Sequence, residues 1–507
     1  MRRRDVAATI VWSLWLAGCA TSALDMAPDR PDKPWVPATT ENGEIIAGEH
    51  QAPATADGYV LPGNPALAKF PSPPIVDPDK AYALAELVDL AETSNPATRI
   101  AWNDARRAAL AAGIAESAFL PKVTATAIGG FQGSNGSSSG SGTNFGDSSA
   151  NGTLSAVSLQ WLLFDFGERA AVVDAAKQAS VISNIAFTAA HQQLIHRITI
   201  AFYDHAAAEA RRATAAQSLK NAEAVQVAAE IRYKHGVGTV TEVAQARQGT
   251  AQANLAVVQT IGGAEDSYLT LVTAMGISPL TKIKIADVSG RKLEPAMAAP
   301  VETLISVELA RRPDVQSAYA AQQASLAGVR AAQAEFMPKF FMSATGTYGT
   351  GNLDVTAPPS STQQPSTVNI TGHHLGGSIF AGVTFPLYDG GTRAATLSQA
   401  QAEADSADAK MTEVQEDAVR QIALADNALR TSLAAYAASE SLEIAAQTTF
   451  DAALAAYRKE VGSITDATLS ETKLLQAKNA ATDAYSAALS AAATLALAAG
   501  ALGAPPE

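Results

Sequence analysis

The 507 residues contain a single cysteine, Cys19, so no disulfide framework holds this chain together. No segment after the N-terminal leader has 18 or more consecutive apolar residues. No later helix is therefore expected to cross a membrane, and any further membrane insertion must be made by strands. Basic residues are outnumbered, 36 to 49, for a net charge of −13, which argues against nucleic acid as a partner because such a surface wants a basic face. His-Glu-x-x-His and Cys-x-x-Cys spacings are missing, and the glycine-rich run 129–152 lacks the Gly-Lys-Ser/Thr of a phosphate-binding loop. His191, His196 and His205 fall on one helical stretch and His373-His374 at a loop-strand edge; all are read as solvated or lumenal side chains. With no nucleophile, base or metal constellation, the expectation is a protein that is not an enzyme and uses no cofactor.

Glycine and proline are missing over two long stretches, and this absence organises the chain. Glu168 to His235 and Thr392 to Val461 contain neither residue, and are filled with Ala, Gln, Glu, Lys and Arg, all strong helix formers. A continuous helix of that length reaches roughly 100 Å at 1.5 Å per residue. Each stretch stops at glycine, Gly236-Val237-Gly238 and Gly462, and a second helical run heads back. Ala215, Leu219, Ala222, Val225 and Ala229 form a narrow apolar seam suited to close coiled-coil contact.

The N-terminus supplies an address. Met1-Arg2-Arg3-Arg4 is a basic n-region and Val6 to Ala17 an apolar h-region of signal-peptide length. Leu16-Ala17-Gly18-Cys19 resembles a bacterial lipobox, which would make 1–18 the leader and Cys19 a lipidated N-terminus. Residues 19–79 are proline-rich and read as an extended strap. The rest divides into a first repeat at 80–278, a linker at 279–300, a second repeat at 301–500 and a short tail at 501–507.

The two repeats align residue by residue. Pro96, Ala101, Ala115, Phe119, Pro121 and Lys122 recur 217 residues later as Pro313, Ala318, Ala332, Phe336, Pro338 and Lys339. Beyond a loop the offset becomes 224, and 163–171 then lies on 387–395 and 233–242 on 457–466. Pro96 and Pro313 should break or start helices, and Pro121 and Pro338 end those that feed strands. Alternating apolar residues in both repeats (Val123, Ala125, Ala127; Phe340, Met342, Ala344) predict β-hairpins within 121–165 and 338–389, with strands of about 9–11 residues, the length of a membrane barrel strand. Asp165 with Glu168 reads as a capping box for the long helix, and Asp389 as its equivalent N-cap. Four strands with open edges cannot stand in lipid. Three copies pooling twelve strands leave a lumen, whereas two would fill their interior.

These features together resemble the TolC-like outer-membrane efflux proteins. The carriers are the tandem repeat, the Phe/Tyr-Asp-x-Gly-x-Arg elements at 164–169 and 388–393, and the Tyr-x-x-x-x-Gly-x-x-x-Asp/Glu turns at 233–242 and 457–466. The resemblance implies a mainly α fold with a membrane β part: long antiparallel helical hairpins form a periplasmic tunnel, and four strands per subunit contribute to a trimeric 12-stranded barrel. It implies a homotrimer in outer-membrane lipid that works with a periplasmic adaptor and an inner-membrane transporter. Pro121, Asp165, Gly167, Arg169, Pro338, Asp389, Gly391 and Arg393 are then expected at the barrel-to-helix junction. Gly236, Val237, Gly238, Thr239, Val461, Gly462 and Ser463 would form the adaptor-contact turns, with Tyr233, Glu242, Tyr457 and Asp466 at the tunnel mouth. Glu460 departs from the first repeat, which has Gly236 there. A non-conducting structural lipoprotein spanning the periplasm is the competing expectation.

Overall fold

A computed structural model of the chain describes residues 27, 31–32, 35, 37–50, 59–68, 76–134, 148–287, 293, 308–356 and 367–503. The leader and Cys19 lie outside the described residues. The chain divides between Val76 and Asp77. In the first unit β1 (Pro37–Thr39) and β2 (Ile45–His50) pair antiparallel, so the proline-rich segment includes a small hairpin where an extended strap was expected.

The second unit carries the repeats. Each begins with a feeder helix that proline opens at its first turn, where its missing N–H costs nothing. In the first repeat this is α2 (Pro96–Glu116), which the short helix α1 (Leu84–Ser94) precedes; in the second it is α5 (Pro313–Ala334). The long helices are α3 (Glu168–Lys234) and α6 (Thr392–Arg458), 67 residues each, and they return as α4 (Val240–Ala274) and α7 (Ile464–Ala498). A two-residue parallel bridge joins β3 (Ala81–Tyr82) to β6 (Lys284–Ile285), tying the start of this unit to the stretch between repeats.

The strands are β4 (Lys122–Ser134), β5 (Ser148–Phe164), β7 (Lys339–Thr356) and β8 (Thr367–Thr384), one antiparallel sheet in the order β4-β5-β7-β8. They exceed the expected 9–11 residues. The ladder of β4 and β5 continues through Gly129↔Thr153 to Ser134↔Ser148, so backbone pairing extends into the glycine-rich run that sequence assigned to a loop. β5 and β7 join the two repeats, with Trp161 opposite Met342 and Leu159 opposite Ala344.

The helical hairpins share a core. Val225, Ala228, Ala229, Val243 and Ala246 of the first pack against Phe450, Tyr457, Ile464, Ala467 and Leu474 of the second. Most of these are small, which lets four helices approach closely, and each large side chain such as Phe450 contributes about 1.5–3 kcal/mol on burial. Of the expected seam, Ala215, Ala222, Val225 and Ala229 are buried, whereas Leu219 is half-buried and Ser218 takes the inner position.

A second repeated device closes the mid-region of each repeat. The Asn95 side chain donates to Ala274 O at 3.1 Å, capping the end of α4. Its counterpart Arg312, also buried, donates to Ala498 O at the end of α7 and to Asp314 Oδ2 and Gln421 Oε1 at 2.6 and 2.8 Å. The chain turns beside them at Gly276 and Gly500, both at positive φ, and a Cβ on Gly276 would meet Asn95 at 2.9 Å.

Candidate functional site

The first group of functional residues stands where strands become helices. In β5 the chain leaves the sheet at Phe164, and Phe166 and Gly167 take φ of 54° and 97° before α3 starts. Asp165 Oδ1 accepts from Gly167 N at 3.3 Å, and its Oδ2 accepts from Arg169 N at 3.0 Å and Arg169 Nε at 2.7 Å. Arg169 also donates to Ala118 O and Leu162 O at 2.9 and 2.6 Å, and its guanidinium lies 4.8 Å from the Phe119 ring centre. One side chain therefore joins the turn that follows α2, the strand and the long helix, close to where Pro121 leads the chain into the sheet.

The second repeat copies this. Asp389 accepts from Gly391 N at 3.1 Å and from Arg393 N and Nε at 3.0 and 2.6 Å, with Arg393 over Phe336 at 5.3 Å. Gly390 and Gly391 supply the two left-handed positions, at 71° and 91°. The expected capping box is not what forms. The N-caps are Gly167 and Gly391, each aspartate sits two residues earlier, and Glu168 instead pairs with Lys339 beyond Pro338 at 2.5 Å. Burial works to raise the Asp165 carboxyl, but the Arg169 ion pair and two backbone amides outweigh it and hold it below its ordinary value. Asp389 is likewise lowered, chiefly by Arg393.

The second group is at the other end of the long helices. Gly236 takes φ of 80°, and Val237 N and Gly238 N both donate to Arg232 O, at 3.0 and 3.1 Å. Glu460 takes the same left-handed conformation at 66°, and Val461 N and Gly462 N donate to Ala456 O at 3.0 and 3.1 Å. The Gly-to-Glu departure thus leaves the turn's hydrogen bonding unchanged, at the cost of strain that glycine avoids. Thr239 and Ser463 then cap the returning helices, accepting from Glu242 N and Asp466 N at 3.2 and 3.1 Å. Val237 and Val461 stand exposed at the tips of the two turns.

The turns match in backbone but not in side chains. Tyr457 is 1% exposed, and its hydroxyl donates to Glu242 Oε2 at 3.0 Å. Arg232 donates to Tyr457 O at 3.0 Å, holds its guanidinium 4.8 Å from the Tyr457 ring centre, and brings Nε to 3.8 Å from the same Glu242 oxygen. Burial first, and the bond to Glu242 second, push the Tyr457 hydroxyl up to about 12. The counterparts make no such cluster: Tyr233 is exposed, Asp466 accepts from Ser463 Oγ of its own cap at 2.7 Å, and Ala456 stands where Arg232 would be. Sequence reasoning missed Arg232, although the Arg232/Ala456 mismatch at the 224-residue offset was legible.

Two of the histidines, His205 and His196, differ from the solvated groups expected, whereas His374 is exposed. His205 is buried with Nδ1 at 3.0 Å from Ser267 Oγ, and His196 Nε2 is 3.1 Å from Thr494 Oγ1. Burial lowers both below the usual histidine range. His373 and His374 lie within β8, opposite Thr350 and Gly349. Among the described residues no group of His, Cys, Asp or Glu has a metal-holding arrangement.

Comparison with known proteins gives consistent matches. The family model described as outer membrane efflux protein covers residues 87–277 and 304–501. Protein CyaE of Bordetella pertussis is 26% identical over 394 residues, which cover 76% of this chain and 77% of that protein. Outer membrane protein OprJ of Pseudomonas aeruginosa is 26% identical over 259 residues, about half of each chain (51% and 51%). Among solved structures, the CmeC outer membrane channel of Campylobacter jejuni superposes with a TM-score of 0.70 at 19% identity, covering 84% of this chain and 87% of that one. At that identity the likeness is one of fold.

Proposed function

Because this chain belongs to the outer membrane efflux protein family, we propose that it is the outer-membrane exit duct of a tripartite export system. It conducts passively, and the driving energy belongs to an inner-membrane transporter reached through a periplasmic adaptor. The carrying observation is the four-stranded antiparallel sheet, whose outer strands β4 and β8 each pair on one side only among the described residues. Unpaired strand edges in lipid cost several kcal/mol per group, so copies must share them, and three copies close twelve strands around a lumen. The two 67-residue helices that follow the sheet extend that lumen by roughly 100 Å.

In this reading the exposed tips at Val237 and Val461 meet the adaptor, and the Arg232–Tyr457–Glu242 cluster holds the mouth of the tunnel together. Cys19 carries the lipid that supplements the barrel as a membrane anchor. Cargo is selected by the inner-membrane transporter. The test is single-channel recording of the purified protein in a planar bilayer, together with its mass in detergent. Conductance from a trimer supports the duct. A non-conducting particle would leave the structural-tether reading in its place. Cys19→Ser should lose incorporated palmitate while the trimer stays in the membrane; a free soluble monomer would mean that lipid was the sole anchor.

A further inference from the structure

The four-stranded sheet sorts its side chains onto two unlike faces. Val123, Val157, Ile379 and Val383 stand exposed on one, the apolar face that lipid would cover in the duct proposed above. The register puts Thr124, Thr126, Ser158, Ser343 and Thr345 on the other, and hydroxyls suit the wall of a water-filled passage. At the helix end of the sheet this polar face changes character. Leu162 pairs with Phe341, Phe341 with Gly382, and Phe380 with Ser343, so three large apolar side chains stand together beside the hydroxyls. The Phe341 ring lies across Gly382, where a Cβ would come within 2.7 Å of it. Phe380 is 62% exposed.

The sheet does not call for these rings. The first repeat builds the same hairpin with Thr124 where the second has Phe341, Ala156 where it has Phe380, and Ser158 where it has Gly382. Glycine inside a strand weakens it and often marks a close approach; here it makes room for the Phe341 ring. Lipid does not explain the rings either, because they stand on the face opposite Ile379 and Val383. A wetted aromatic patch is unfavourable until something apolar covers it. The charge beside the patch is positive. Lys122 and Lys339 open β4 and β7 on this same face. Lys339 is neutralised by Glu168 at 2.5 Å, but the counterpart of that acid in the other repeat is Thr392. Lys122 is exposed and makes no ion pair among the described residues, and no Asp or Glu lies on this face of the described strands.

We propose that Lys122, Leu162, Phe341 and Phe380 form a subsite on the lumenal wall for organic anions that carry an aromatic body. The body lies on Leu162 and the two rings, and the anionic group meets the Lys122 ammonium. β5 is one strand from β4 and β7 is two, roughly 5 and 10 Å, which matches the length of a two-ring aromatic acid. This rests on the duct proposed above, since only there does the face become a lumen. The transporter still selects the cargo; the wall gives solutes of this class a resting place in the passage.

The test is block of single-channel current through the full-length protein by 2-naphthalenesulfonate, with each variant normalised to its own unblocked current. Methanesulfonate, which lacks the aromatic body, and a naphthyl trimethylammonium salt, which reverses the charge, are the comparison probes. Naphthalenesulfonate is expected to block and the other two to do so far more weakly. Phe380→Ser should weaken the block by roughly three- to tenfold and Lys122→Gln by roughly two- to fivefold, while Phe380→Tyr keeps a ring and retains it. Thr124→Phe, Ala156→Phe and Ser158→Gly together copy the ring pair into the first repeat and should strengthen the block, a gain that loss of folding cannot mimic. Equal block of the wild type and Phe380→Ser, or no gain in the triple variant, overturns the subsite and leaves the duct standing. Block by methanesulfonate or by the cation at the same concentration overturns the ligand class and with it the proposal. A protein that does not conduct overturns the duct reading and the subsite together.

Discussion

The hydroxyl of Tyr457 donates to Glu242 at 3.0 Å, joining the end of α6 to the first turn of α4 and so one repeat to the other. Arg232 brackets the pair from α3. A bond that bridges two hairpins must break if the hairpins separate at this end. Hydrogen bonds to a charged group contribute about 1.5–3 kcal/mol. Tyr457→Phe with Arg232→Ser should therefore move the closed-to-open equilibrium by roughly 10- to 100-fold. Single-channel conductance and open probability should rise with no change in trimer mass. Wild-type currents from the double variant would show that the cluster is only a packing contact.

Glu242 and Asp466 follow the two turns at matching positions, and in the proposed trimer threefold repetition would place six carboxylates near one mouth. In the proposed duct such a ring would attract cations in a narrow aqueous passage. Glu242→Ala with Asp466→Ala is expected to weaken cation selectivity and block by multivalent cations. Reversal potentials in a salt gradient measure this. Comparing Asp466→Ala alone separates the two, since that residue takes no part in the Tyr457 cluster. Unchanged reversal potentials would leave Asp466 only the role of favouring its helix N-terminus, and Glu242 that role together with the bond from Tyr457.

The junction aspartates set an acid limit. Their carboxyls are lowered in the fold, so the stability they contribute is fully present above the ordinary aspartate value of about 3.9 and is lost as pH falls through the depressed one. Trp161 donates from Nε1 to Phe119 O at 2.8 Å beside the first junction, so its fluorescence should report the loss. Asp165→Asn should cost about 1–3 kcal/mol at neutral pH, because it weakens the partner of buried donors, and should flatten the acid transition. An unaltered acid profile would rule out this role.

Glu471 gives the opposite sign. Its carboxyl is raised by burial, a shift the bond from Ser218 only partly opposes. A raised acid stabilises fully below its ordinary value of about 4.3 and loses that contribution as pH rises through the folded value. Glu471→Gln keeps an acceptor for Ser218 and removes the half-buried charge. The melting midpoint is expected to rise by about 1–2 °C at pH 8 and to be unchanged at pH 4. A lower midpoint at pH 8 would mean that the charge itself is needed.

The absence of glycine and proline from Glu168 to His235 and from Thr392 to Val461 was enough to place both long helices, because helix propensity summed over such a length leaves the backbone little choice. The recurring Asp-x-Gly-x-Arg and turn elements located both ends of those helices, and alternation located the strands. These are local rules, read within a few residues. What sequence alone left undecided are relations between segments far apart in the chain. Tyr457 and its counterpart Tyr233 carry the same residue, yet only Tyr457 is buried, because Arg232 and Glu242 of the other repeat pack over it. Leu110 and Ala327 occupy one position of the repeat, yet one is bare and the other enclosed, because α5 has two long neighbours and α2 has one. A repeat in sequence makes the two halves equivalent in backbone. The tertiary structure makes them unequal, since a side chain's burial and charge partners are set by which helices lie beside it in space.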